Sequence, residues 1–149
     1  MKKHKNGSIK MKKHISFSEL KTWNECAYKH KISYIDRVKE FIGNEYTAFG
    51  KAVHDTCAKS LISKKSINQI DYFNNQFLQE IESLVEEGIQ LKPELVQQMR
   101  IQAKDMLKHI LPEVKNYFGE YEVISTEEQL YEPMEGIKYN FKGYIDLVL

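Results

Sequence analysis

Asp146 lies in the run Gly143-Tyr144-Ile145-Asp146-Leu147-Val148, opposite in phase to Ile145 and Leu147. A carboxylate among half-buried strand residues costs free energy unless it is paired, hydrogen-bonded or bound to a metal. It equally fits an exposed acid facing water beside Lys142. His54 falls in an apolar helical segment. A neutral imidazole binds divalent metals, and a lone helical histidine is also an ordinary core or surface residue. Glu127 and Glu128 are neighbours in a strand-like region, so their side chains point to opposite faces, and one of them could share a face with Asp146. A solvated acidic pair is the other reading. The segment holding Trp23, Tyr28, Lys29, His30, Lys31, Tyr34 and Arg37 interleaves rings with cations, a mixture suited to bases and phosphates. The helical spacing of Trp23 equally fits a core ring.

Other chemistries find no footing. Cys26 and Cys57 are isolated, without zinc-ligand spacing, and cannot build a disulfide framework. They fit a reducing cytoplasm. The chain has no glycine-rich phosphate loop and no Gly-x-Ser-x-Gly elbow.

The elements that must position these residues follow from hydropathy spacing. Ser16-Phe17-Ser18-Glu19 predicts a capping box opening a helix, with Phe17, Leu20 and Trp23 at helical spacing and a break near Asn24-Glu25. Residues 36–46 read as a loop. A helix over about 47–61 carries the stripe Phe49, Val53, Cys57 and Leu61. A second capping box at Ser66–Gln69 precedes the stripe Ile70, Phe73, Phe77, Ile81 and Leu84, closed by Gly88. Pro93 suits a first helical turn. The next helix carries Leu95, Met99, Met106, Leu107 and Ile110 to Pro112, which should end or kink it. After Gly119 the period changes. Ile137, Tyr139, Phe141, Gly143, Ile145, Leu147 and Leu149 alternate as a strand does, with Tyr121, Val123 and Gln129-Leu130-Tyr131 suggesting partner strands and Met134-Glu135-Gly136 as the turn. Pro133 should stand at a strand end. The fold class is α+β: N-terminal helices followed by an antiparallel hairpin. Residues 1–15 read as a basic flexible tail and 16–149 as one domain.

Charge is polarised along the chain. The 149 residues have a net charge of +1. Residues 1–65 hold 15 Lys and Arg and 6 Asp and Glu, a balance of +9, while residues 66–149 hold 7 and 15, a balance of −8. Such a chain can offer a basic face to nucleic acid, and two solvated faces are the plainer reading. No run of about 18 apolar residues exists, so no membrane-spanning helix is expected. The basic N-terminus has no apolar stretch behind it and does not read as a secretory signal.

The order of these pieces resembles a known family. Ser16-Phe17-Ser18-Glu19-Leu20 followed by Cys26-Ala27-Tyr28-Lys29 resembles the S-x-S-x-L…C-P-x-[RK] opening of RecB-like nucleases in the PD-(D/E)XK superfamily. Phe49-Gly50-Lys51-Ala52-Val53-His54 resembles their G-x-x-[VIL]-H helix, Glu128 with Leu130 the glutamate strand, and Gly143–Val148 the G-x-I-D-x-[VIL] strand. The resemblance implies a restriction-endonuclease-like mixed sheet flanked by helices. It implies a nuclease, of exonuclease type, hydrolysing DNA phosphodiester bonds with Mg²⁺ or Mn²⁺ in repair or recombination. His54 and Asp146 would be metal ligands, and Asp146 and Glu128 the catalytic carboxylates. Lys21, Lys29, Lys31, Arg37 and Lys51 would meet the DNA backbone.

The departures shape the expectation. The family places a D/E-x-K strand soon after the aspartate strand, and only Leu147, Val148 and Leu149 follow Asp146 here. Glu19-Leu20-Lys21 and Glu113-Val114-Lys115 fall in helical segments and read as chance. The chain is therefore expected to be the front part of the domain, inactive alone, with the sheet completed by a C-terminal half or a partner chain. Ala27 replaces the usual proline. Some relatives bind an iron–sulfur cluster through a cysteine at the position of Cys26 and three more near the C-terminus. Cys26 is the only candidate here, so a cluster is not supported, and Cys26 reads as a buried small residue. A non-catalytic DNA-binding or partner-binding module of the same fold, and a helical interaction protein, are the alternatives.

Overall fold

The computed structural model describes residues 13–38, 42–63 and 66–149. The reading of a basic tail concerns residues 1–15, of which 1–12 lie outside the described residues. The fold is α+β: the described residues form five α-helices, a π-helical turn and three strands. The strands are β1 (His14–Ser16), β2 (Ser125–Pro133) and β3 (Asn140–Val148), in the sheet order β1-β3-β2. β1, whose His14 and Ile15 fall in the segment read as a tail, pairs parallel with β3 in the register His14 to Asn140 and Ser16 to Lys142. β2 starts at Ser125, so of the expected partner residues Tyr121 and Val123 precede it and only 129–131 lie in the strand. The residues divide into two compact units, one of 1–38 with 129–144 and one of 39–128 with 145–149. β2 and β3 contribute residues to both.

In the first unit, α1 (Phe17–Glu25) starts where the capping residues predict. Ser16 is extended and its hydroxyl accepts from the Glu19 N–H at 3.2 Å. The Glu19 carboxylate also lies 3.0 Å from His30 Nε2, a tie from this first turn to the next helix. Cys26 ends α1 and caps α2 (Ala27–His30), its Sγ accepting from the Lys29 N–H. The thiol is exposed, which corrects the reading of Cys26 as buried: a capping side chain must turn back over the helix end at the surface. A π-helical turn follows at Lys31–Ile35. Phe17, Leu20 and Trp23 do not form a core stripe. All three are exposed, and the buried residue of α1 is Glu19. The β2–β3 turn lies where expected, with Gly136 at φ 71° in the region that favours glycine.

The second unit is built on α3 (Glu45–Ile62), α4 (Gln69–Glu86) and α5 (Pro93–Phe118). Asn44 and Thr47 form a full reciprocal capping box that starts α3 two residues before the expected boundary. The buried face of α3 is Ala48, Ala52, Thr56 and Ser60, one position from the predicted stripe. Small side chains let the neighbouring helices approach. The Thr56 and Ser60 hydroxyls are satisfied within the helix, donating to the Ala52 and Thr56 carbonyls at 2.7 and 2.6 Å. Phe49, Val53 and Cys57 flank this face as partly buried packing. Burial pushes the Cys57 thiol up from its ordinary value, so it stays protonated. Phe73 and Phe77 stack at 5.3 Å between centroids, and the edge of Phe49 meets both. Met99, Ala103 and Leu107 close the core from α5.

Two boundaries differ from expectation. The cap of α4 is Asn68, which accepts from the Ile70 and Asp71 N–H groups, rather than Ser66. α5 runs through Pro112 to Phe118 and ends at Gly119. The proline removes one helical hydrogen bond, but six more residues continue the helix beyond it. Glu45 ties the start of α5 to α3 by accepting the Lys92 N–H at 2.7 Å. Its own N–H and that of Lys92 hold its carboxyl below the usual carboxylate range. Among the described residues no helix is long and apolar enough to cross a membrane.

Candidate metal centre

α3 buries Ala52 and Thr56 and thereby turns His54 to the opposite side, where it is exposed. Its Nε2 lies 2.6 Å from Glu127 Oε1. Asp146, on β3, completes the group: each of His54, Glu127 and Asp146 offers a ligand atom, and these atoms all lie within 4.8 Å of one another. All three residues belong to the second unit. Among the described residues it is the one such group of three.

Asp146 is exposed, as its plainer reading required, yet it faces an imidazole and a second carboxylate. The strand that carries it is held here by the Ile124 N–H, which donates to the Val148 carbonyl at 2.9 Å. Lys142, its supposed neighbour, instead places its ammonium 5.3 Å from the Tyr144 ring centroid.

Of the adjacent glutamates, the one that joins His54 and Asp146 is Glu127. Glu128, to which the resemblance gave the role, accepts from the Ser125 hydroxyl. The cause is in the backbone. Glu127 has φ 55°, a left-handed conformation that costs an L-residue about 1–2 kcal/mol. A residue in that region breaks the alternation of a strand, as in a β-bulge, and re-aims its side chain. Strain of this kind persists where the surroundings over-determine it, and it concentrates at functional sites.

The donor set fits a hard or borderline divalent cation. Two carboxylates and one imidazole suit Mg²⁺ or Mn²⁺, and three exposed protein ligands leave room for water and a phosphate oxygen. The residues expected to contact a polyanion are spread differently. Lys21 is exposed, Lys29 stands 4.0 Å from Glu25, Lys31 pairs with Asp36 at 2.5 Å, and Arg37 is exposed with φ 55°. Lys51, one turn before His54, pairs with Glu80, whose hydrogen bond holds the ammonium above the usual lysine range.

No curated protein and no solved structure shows significant similarity to the chain. The model of the PD-(D/E)XK nuclease superfamily, by contrast, matches residues 14–149. A match over nearly the whole length, in a chain that brings a histidine and two carboxylates together from a helix and two strands, settles the relationship: the protein belongs to the PD-(D/E)XK nuclease superfamily of metal-dependent nucleases.

Proposed function

We propose that the chain carries the metal site of a RecB-like DNA exonuclease, with His54, Glu127 and Asp146 as the protein ligands. The observation that supports it most is the convergence of these three groups within 4.8 Å. Glu127 takes the place first given to Glu128. A divalent cation bound there would supply Lewis-acid polarisation of a phosphodiester and activation of water for its hydrolysis. Glu127 and Asp146 provide the negative charge that attracts the cation, and the three exposed side chains leave the site open to a DNA phosphate. His54 must release its contact with Glu127 to offer Nε2. Lys21, Lys29, Lys31, Arg37 and Lys51 are the proposed phosphate contacts, with Lys31 and Lys51 exchanging Asp36 and Glu80 for DNA.

Within these 149 residues no D/E-x-K triplet follows Asp146. A cytoplasmic setting is part of the same reading, in keeping with two free cysteines. Titration calorimetry with Mn²⁺ tests the assignment. One site is expected for the wild type, lost in His54→Ala, Glu127→Ala and Asp146→Ala and kept in Glu128→Ala. Wild-type binding in any of the first three folded variants removes that residue from the site.

A further inference from the structure

We propose that the cleft between α4 and α5 binds a small monocarboxylate with a compact apolar body, the class of aryl and branched-chain acids. The cleft has a volume of about 250 Å³. Its apolar walls are Phe77, Leu78 and Ile81 from α4 and Val96 from α5. Leu78 is 55% exposed, so this wall is open to a ligand rather than spent on the core. A cavity of roughly 150 Å³ already takes a benzene ring. Asn74, Asn75 and Arg100 complete the lining. The Arg100 Nε–H donates to the Asn74 side-chain oxygen at 3.1 Å.

Arg100 selects the charge of the occupant. It is the one charged residue of the lining, and among the described residues no carboxylate pairs with it. Its partner Asn74 is neutral, so the positive charge stays uncompensated. The bond through Nε orients the planar guanidinium and leaves its terminal amino groups to a carboxylate. The surroundings limit the occupant to a single anion. α4 carries Asp71, Glu80, Glu82 and Glu86 and no lysine or arginine, so an extended polyanion meets like charge on either side of the one cation. A bare inorganic anion leaves the apolar walls in water, and an uncharged apolar body leaves Arg100 unpaired. A carboxylate on an apolar body meets both demands. None of the lining residues is a proposed metal ligand, and the inference does not rest on the nuclease reading.

Phenylacetate is the probe. It is titrated into the full chain at constant ionic strength with EDTA present, and backbone amide NMR shifts are followed. Saturable shifts at Leu78, Ile81 and Arg100 are expected, with a Kd of about 1–10 mM for a ligand of this size. Acetate, which lacks the body, and phenylacetamide, which lacks the charge, should each bind at least roughly tenfold more weakly. Arg100→Gln and Leu78→Gln, both at exposed positions, should each weaken phenylacetate binding by roughly tenfold, with the amide spectrum showing that the fold is kept. Lys104→Gln, one turn beyond Arg100 and outside the lining, should stay within about twofold of the wild type. No saturable shifts in the cleft, or wild-type affinity in Arg100→Gln, overturns the site. An equal loss in Lys104→Gln does so too, since diffuse charge would then attract the probe. Phenylacetamide binding as tightly as phenylacetate also overturns it, and points to an uncharged apolar protein segment as the occupant.

Discussion

Glu127 is the residue on which geometry and energetics can be set against each other. Its φ of 55° predicts that glycine is preferred there over alanine. Glu127→Gly and Glu127→Ala both delete the carboxylate and its contact with His54, so those losses cancel between them. What remains is backbone. Alanine keeps the left-handed penalty of about 1–2 kcal/mol. Glycine escapes it but loses more conformational freedom on folding, roughly 0.5–1 kcal/mol. The difference leaves Glu127→Gly more stable than Glu127→Ala by up to about 1.5 kcal/mol, about 0.75 at mid-range, or about 2 °C in Tm for a chain of this size. In an ordinary strand the sign is opposite, glycine being the weaker by roughly 0.5–1 kcal/mol. Urea unfolding followed by circular dichroism resolves a difference of this kind. Neither variant should bind Mn²⁺. Glycine less stable than alanine, as in an ordinary strand, would refute the strained backbone, and with it the explanation of why Glu127 rather than Glu128 reaches His54.

Four further outcomes follow from the second unit. Glu45→Gln should destabilise the chain by about 1 kcal/mol, because the Lys92 N–H loses an ionised acceptor. Since the folded carboxyl of Glu45 titrates below its ordinary value, its contribution is present above about pH 4.5 and is lost as pH falls through the lowered value. Unfolding curves between pH 6 and 3 should therefore converge for wild type and Glu45→Gln, and parallel curves would contradict this. Phe73→Ala, at a side chain 1% exposed, should cost about 3–5 kcal/mol, while Leu78→Ala on the open side of α4 should stay within about 0.5 kcal/mol in the same denaturant assay. Pro112→Ala restores a donor inside α5 and should stabilise by roughly 1–3 kcal/mol; no rise in Tm would mean that the helix is already interrupted there.

His54 and Asp146 stand out through the motifs that resemble G-x-x-[VIL]-H and G-x-I-D-x-[VIL]; hydropathy spacing alone also fits an ordinary helical histidine and an exposed acid. The sequence cannot choose between Glu127 and Glu128. Strand alternation says only that the two diverge, and a left-handed glutamate has no signature in residue type. The face of α3 was missed by one position for a related reason: Ala48, Ala52, Thr56 and Ser60 carry little hydropathy, and they are buried because they are small. Hydropathy spacing likewise places Phe17, Leu20 and Trp23 in a core, and no local rule reports that the helix turns them outward. The caps were easier. Ser16 fits its local hydrogen-bond geometry, and the shift from Ser66 to Asn68 exchanges one capping side chain for another two residues on. The parallel pairing of β1 with β3 joins residues more than a hundred positions apart, beyond the reach of any window.

The central claim is that His54, Glu127 and Asp146 hold one divalent cation. Anomalous diffraction from crystals of the chain grown with Mn²⁺ tests it most directly. The account predicts a single strong peak, with His54 Nε2 and a carboxylate oxygen from each of Glu127 and Asp146 at about 2.0–2.6 Å, the range of first-row and alkaline-earth coordination. A peak ligated by Glu128 in place of Glu127, or no peak beside His54 at all, would contradict it.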